Sequence, residues 1–282
     1  VPVITINTIA GDDIINAAEH GQAQLISGTC TGAAAGDTVT ITLNGKTYTT
    51  ILDANGAWSV GVPAADITAL GNGQSYAVDV TVTDKAGNSS SESRDISVNT
   101  SPIALTIDAI AVDDIINAAE AGQPLVLSGT ANALPENTVV TVTLNGKTYS
   151  ATVTNSGTWT LTVDQADVAA LADGNYTVTA SAVDAAGNHT NASHNVTVDT
   201  TAPTLTINDM AHGNVLNGTT AGEALVISGS TSAEPGQLVT VELGSNTYSA
   251  TVSADGTWTL TVPPADLALL NDGDLTVTAS VT

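Results

Sequence analysis

The chain has 282 residues, no Phe, one Cys and one Met, and 28 acidic side chains against four basic ones leave a formal charge of −24. That length holds about two or three domains, each able to bury a sizeable core. So few cations cannot neutralise a phosphate backbone or an anionic lipid surface, which excludes nucleic-acid and membrane-surface binding as main activities. One Cys closes no internal disulfide, and no apolar run approaches the roughly 18 residues of a membrane span. The start, Val1-Pro2-Val3-Ile4-Thr5-Ile6, carries no basic n-region and reads as a fragment boundary, not a signal peptide.

Internal repetition organises the rest. Trp58, Trp159 and Trp258 recur at intervals of 101 and 99 residues. The same spacing relates Ser27-Gly28, Ser128-Gly129 and Ser228-Gly229, and the turns Asp84–Asn88 and Asp184–Asn188. A period near 100 residues exceeds that of solenoids and matches a self-sufficient domain. Three domains are expected, 1–99, 100–199 and 200–282, joined at Asn99-Thr100-Ser101-Pro102 and Asp199-Thr200-Thr201-Ala202-Pro203. Their charges of −7, −9 and −8 make acidity a property of every repeat. Links this short make neighbours touch or nearly touch.

In the second repeat, period-two patterning predicts strands at Leu105–Ile110, Leu125–Ser128, Val139–Leu144, Lys147–Val153, Trp159–Val163, Tyr176–Val183 and His194–Val198. Asn145-Gly146 makes a tight hairpin turn, and Gln165–Ala172 has helical character. Seven short strands separated by turns predict an all-β chain of three tandem immunoglobulin-like β-sandwich domains. Short linkers would draw them into an extended rod of about 120 Å. The B–F disulfide of antibody domains is missing, and Trp falls on the fifth strand. Tyr76 and Tyr176 are either tyrosine corners or plain core aromatics. The third repeat stops about 18 residues short of the second, which would leave out a last strand and open a sheet edge.

The densest acidic string follows the first strand. It holds Asp12, Asp13, Asn16 and Glu19 in the first repeat, and Asp113, Asp114, Asn117 and Glu120 in the second. On one short helical turn these residues can supply about three or four of the six to eight oxygens that Ca2+ takes. They also suit a plain capped turn, and the motif alone leaves both readings open. Sandwich topology adds a further argument. The loop after the first strand should lie at the pole of the following linker, and the turn before the last strand at the opposite pole. Asp12, Asp13, Asn16 and Glu19 would then meet Asn99 and Asp184, while Asp113, Asp114, Asn117 and Glu120 would meet Asp199. Acids crowded there repel unless a cation neutralises them, which favours a metal. The opposite pole would bring Asp113 towards Asp84 instead.

Together the strings DDIINAAE, VDTTAP (Val198–Pro203), D-x-A-G-N and GTWTLTV resemble the bacterial immunoglobulin-like repeats of giant non-fimbrial adhesins, secreted by type I systems of Gram-negative bacteria. The resemblance covers all three repeats. It implies Ca2+ at the junctions, a role in adhesion, and a place outside the cell, secreted or held at the bacterial surface. Two departures stand out. Asn99 replaces the linker Asp, so the first site is expected to be the weaker. His212–Thr220 replaces the acidic string in the third repeat, which puts a site there in doubt.

Catalysis finds no support. His20, His189, His194 and His212 form no spaced metal set, with His189 and His194 read as flanking a turn, and no G-x-S-x-G motif occurs. Cys30 matches Ala131 and Thr231 in the other repeats and reads as an inert thiol. Asp66, Asp167 and Asp266 read as caps of helical turns. The expectation is a non-enzymatic, Ca2+-stiffened spacer of an adhesin. It would be a monomer whose partners are neighbouring Ig-like domains of the same chain, with a host glycan or receptor met by distal domains. The rival is a carbohydrate- or receptor-binding module, and a weaker one an accessory domain of a polysaccharide hydrolase. Near-equivalent repeats favour the spacer, because a binding site should set one repeat apart. The third repeat does differ, which keeps the rival in play.

Overall fold

The computed structural model describes residues 2–282, without the side chains of Ala211, His212 and Thr220. Expectations resting on Val1 and on the His212 side chain lie outside the described residues.

Alternating Thr and Val give each segment one apolar face, and such strands bury it by stacking two sheets. The first repeat holds β1 (Val3–Ile6), β2 (Ile14–Asn16), β3 (Gln24–Thr31), β4 (Thr38–Leu43), β5 (Lys46–Ile51), β6 (Ala57–Val62), β7 (Ser75–Thr83) and β8 (Ser89–Asn99). One sheet has the order β1-β3-β6 and the other β2-β8-β7-β4-β5. The second repeat runs β9 (Ala104–Leu105), β10 (Ile115–Asn117), β11 (Leu125–Asn132), β12 (Val139–Leu144), β13 (Lys147–Thr152), β14 (Thr158–Val163), β15 (Gly174–Val183) and β16 (His189–Asp199). Its sheets, β14-β11-β9 and β10-β16-β15-β12-β13, repeat the same plan. The third repeat has β17 (Leu225–Ser230), β18 (Leu238–Leu243), β19 (Asn246–Thr251), β20 (Thr257–Val262) and β21 (Val277–Val281), in sheets β17-β20 and β19-β18-β21. Trp58, Trp159 and Trp258 each sit in a separate apolar core. The chain is all-β, built of tandem immunoglobulin-like sandwiches. One compact unit runs to Thr200 and contains the first two repeats, and the other spans Thr201–Thr282.

The structure corrects several expectations. The acidic string is not one helical turn, because Ile14–Asn16 and Ile115–Asn117 are short strands that pair parallel with the ends of β8 and β16. A complete repeat therefore has eight strands, and Trp lies on the sixth. Of the first expected strand only Leu105 is β, as the end of Ala104–Leu105, although the Thr106 and Asp108 amides still donate to Thr130 and Ser128 carbonyls at 3.0 and 2.9 Å. His189 and His194 both lie on β16, not around a turn.

Asp66, Asp167 and Asp266 are not caps. Pro63, Asp164 and Pro263 hold the N-cap positions, without side-chain bonds. The three carboxylates instead accept the Tyr48, Tyr149 and Tyr248 hydroxyls at 2.7, 2.9 and 2.9 Å, with Lys46 and Lys147 paired to the first two. Burial first, then the neighbouring carboxylate, pushes Tyr48 and Tyr149 up to about 12.

The recurring Ser-Gly is a packing requirement. A Cβ on Gly28 would come within 1.9 Å of the Thr5 carbonyl and 2.6 Å of the Trp58 ring, and Gly129 and Gly229 meet their own tryptophans in the same way. Gly71 N–H donates to the Tyr76 hydroxyl at 2.8 Å and the Tyr176 hydroxyl to Ala172 O at 2.9 Å, so both are tyrosine corners. Cys30 is buried, and burial pushes its thiol pKa up, as suits an unreactive side chain.

Candidate interdomain site

Each pole starts from a tight turn. In the first repeat Ala10, Gly11 and Asp13 have φ of 54°, 93° and 65°, a left-handed region that Asp tolerates when its side chain bonds locally. Asp13 Oδ1 accepts the Ile9 amide at 2.9 Å and Arg94 Nε at 2.7 Å, and Arg94 Nη2 meets Oδ2 at 2.5 Å. The Arg94 hydrogen bonds hold the Asp13 carboxyl below its ordinary value. Asp114 repeats the device, accepting the Ile110 amide at 2.8 Å and contacting His194 Nε2 at 2.7 Å. Its carboxyl is lowered first by that amide and then by His194. In the third repeat Asn214 Oδ1 accepts the Met210 amide at 2.7 Å. Asp13 and Asp114 thus close their turns and hold a base of the last strand. Both carboxylates, expected as calcium ligands, are here bonded to protein groups of their own repeat.

The remainder of each acidic string is a cap. Asn16 Oδ1 accepts the Ala18 and Glu19 amides, both at 3.0 Å, and Glu19 Oε2 accepts the Asn16 amide at 3.1 Å. Asn117 and Glu120 form the same reciprocal box on the helical turn Ala118–Ala121. Asp12 and Asp113 accept the amides of Ile14 and Ile115 at 3.0 and 3.1 Å.

The contact across the first joint comes from the turn Asp184–Asn188. Asp184 Oδ1 accepts the Ala186 and Asn188 amides at 2.9 and 2.8 Å, and Oδ2 accepts Asn188 Nδ2 at 2.9 Å. Thus oriented, Asn188 Oδ1 accepts the Ala17 amide at 2.8 Å and Nδ2 donates to Asn99 O at 2.9 Å. Register pairs Asn16 with Asn99, so one amide side chain bridges both strands at the end of the first repeat. The matching turn Asp84–Asn88 has the same internal bonds, at 2.9, 2.8 and 2.9 Å. Ala86 and Asn88 there are exposed, whereas Ala186 and Asn188 are 2% and 6% exposed.

Among the described residues, no three Asp, Glu, His or Cys side chains converge as a metal set. The first joint does not fit a calcium site as the resemblance implied. Asp13 is committed to Arg94, Asn99 is neutral, and an amide bridges Asp184 to the Asn99 carbonyl. At the far pole of the second repeat, register sets Asp199 beside Asn117. Thr200 is tied there by its amide and hydroxyl to Asp173 Oδ1 at 2.9 and 2.7 Å.

Comparison with known proteins decides the family. Bacterial Ig-like domains match residues 7–100 and 112–200. The chain belongs to the bacterial Ig-like domain family. A group 3 bacterial Ig-like domain also matches residues 157–253. A Ca2+-stabilised adhesin that helps an Antarctic bacterium reach out and bind ice is 37% identical over 99% of this chain and 72% of its own, with a TM-score of 0.45. A 1.5-MDa bacterial ice-binding adhesin, studied for host cell-surface retention, is 30% identical over 99% of this chain and 95% of its own, with a TM-score of 0.42. A tetra-tandem repeat from the extending region of a large adhesion protein is 29% identical over 100% of this chain and 70% of its own, with a TM-score of 0.33. No curated protein matches the chain.

Within these bacterial Ig-like repeats, reading the sequence alone missed three working residues. Arg94 and His194 occupy equivalent places in the first and second repeats, opposite Asp13 and Asp114, and laying the repeats over one another would have paired them. Asn188 closes a D-x-A-G-N turn whose Asp drew attention as a carboxylate, while the amide makes the contact.

Proposed function

We propose that this bacterial Ig-like chain is a non-enzymatic spacer in a large adhesin, secreted or held at the bacterial surface, that carries a distal adhesive end away from the cell. The observation that carries this reading is the first joint, where a turn of one repeat is buried in the cap of the preceding one. Such a joint passes orientation from repeat to repeat, as a spacer needs. The repeats would be 1–99, 100–199 and 200–282, in a monomeric chain whose partners are neighbouring Ig-like domains. A host glycan or receptor would belong to other domains.

Sequence identity to a Ca2+-stabilised adhesin supports calcium as the stiffening ion. Calcium supplies neutralisation where carboxylates gather at a boundary. The end of the second repeat suits it better than the first joint, because Asp199 pairs in register with Asn117, whose acidic string also holds Asp113 and Glu120. Asp12, Glu19, Asn99 and Asp184 make the poorer set. A glycan array probed with the full chain should show no binding, and millimolar calcium should raise its melting temperature only modestly. Saturable capture of a defined glycan would replace the spacer by the lectin-like rival.

A further inference from the structure

We infer that the joint between the first two repeats closes without a metal ion, latched by Asn188, and that a neutral residue at position 99 is what permits this. The inference rests on the spacer reading for its use, since a joint that stays shut in low calcium keeps part of the spacer stiff, but its test reads the joint alone.

The amide of Asn188 satisfies two backbone groups that lie on different strands of the neighbouring repeat. Ala17 N–H is the first free donor of the Asn16 cap, whose side chain takes the next two amides. Asn99 O is the carbonyl at the end of β8. Both would be orphans at strand or turn ends, and burial makes an orphan polar group costly. A carboxylate at position 188 could accept from Ala17 but could not donate to Asn99, so the latch needs an amide. Its orientation is set by Asp184 Oδ2, which takes the other Nδ2 proton. Gly187 permits the approach: with φ of 81°, it would place a Cβ 3.1 Å from Asn16 Nδ2.

Charge decides why position 99 matters. The Asp184 carboxylate and the Asn99 carbonyl accept from one nitrogen, each at 2.9 Å. A carboxylate on residue 99 would add a negative charge at the same strand end, whose carbonyl shares Asn188 Nδ2 with Asp184. Repulsion there would favour an open joint or a bound cation. Asn99 instead keeps its side chain local, with Oδ1 accepting the Ser101 amide at 3.2 Å.

Amide hydrogen exchange on the full chain, in EDTA and in calcium, tests this at the Ala17 amide. In the intact chain Ala17 should be protected equally in both. Asn188→Ala should speed its exchange about tenfold in both, the loss of one buried hydrogen bond. Asn88→Ala removes the same bond inside the matching exposed turn and should leave Ala17 unchanged, which separates the latch from damage to the turn. Asn99→Asp should speed Ala17 exchange in EDTA and slow it again with calcium. Protection of Ala17 only in calcium, or protection that survives Asn188→Ala, would overturn the latch and leave the spacer reading standing. Full protection of Asn99→Asp in EDTA would overturn the role given to Asn99.

Discussion

Asp13 divides one carboxylate between a local and a distant partner, the Ile9 amide and the Arg94 guanidinium on β8. Its pKa is depressed in the fold, chiefly by the Arg94 hydrogen bonds. A carboxyl lowered in this way contributes stability that is fully present above its unfolded pKa and is lost as pH falls through the folded value. The Asp13 contribution is therefore intact at neutral pH and fades below about pH 4. Asp13→Asn keeps an oxygen for the Ile9 amide, as Asn214 does for Met210, and gives up the ion pair. The variant should melt below wild type at pH 7, and the two should converge as pH falls below the ordinary carboxylate range and through the lowered Asp13 value. Parallel curves would show that the Arg94 pair contributes nothing linked to protons. Nothing in the string Asp12-Asp13 distinguishes the two acids by local pattern. What separates them is an arginine 81 positions away, which only the folded register brings near.

At the scale of elements, alternation made the long strands readable, and Asn145-Gly146 located the hairpin of β12 and β13. The strands Ile14–Asn16 and Ile115–Asn117 escaped because three residues cannot establish a period of two, and the flanking Ala and Glu favour a helix. Their pairing partner is also the last strand of the repeat, joined in parallel, which no hairpin signal announces. These short strands nonetheless plug the core. Ile15 and Ile116 are fully buried, while Ile115 is 45% exposed. Ile116→Ala should cost about 2–5 kcal/mol in urea unfolding of the unit that holds it. Ile115→Ala should stay within about 0.5 kcal/mol. Equal costs would mean that β10 is held by its ladder and not by the side chain beneath it.

For the whole molecule, the ends of the first two repeats differ in charge: Asn99 ends β8, and Asp199 ends β16. Both residues pair in register with the capping asparagine of their own repeat, Asn16 or Asn117. The charge that Asp199 adds should appear as a difference in calcium response. Extracellular calcium modules bind at around 10⁻⁴–10⁻³ M, and at millimolar calcium mass action gives about 0.5–1.5 kcal/mol per site. Wild type should therefore show a small rise in melting temperature with calcium. Asp199→Asn copies the first boundary at the second and should abolish most of that response, because fewer ligand charges weaken calcium binding. Local cost from the substitution itself would lower melting equally with calcium and with chelator, so the quantity to compare is the calcium-induced shift. A shift that Asp199→Asn leaves unchanged would place the ion elsewhere and remove Asp199 from the calcium ligands.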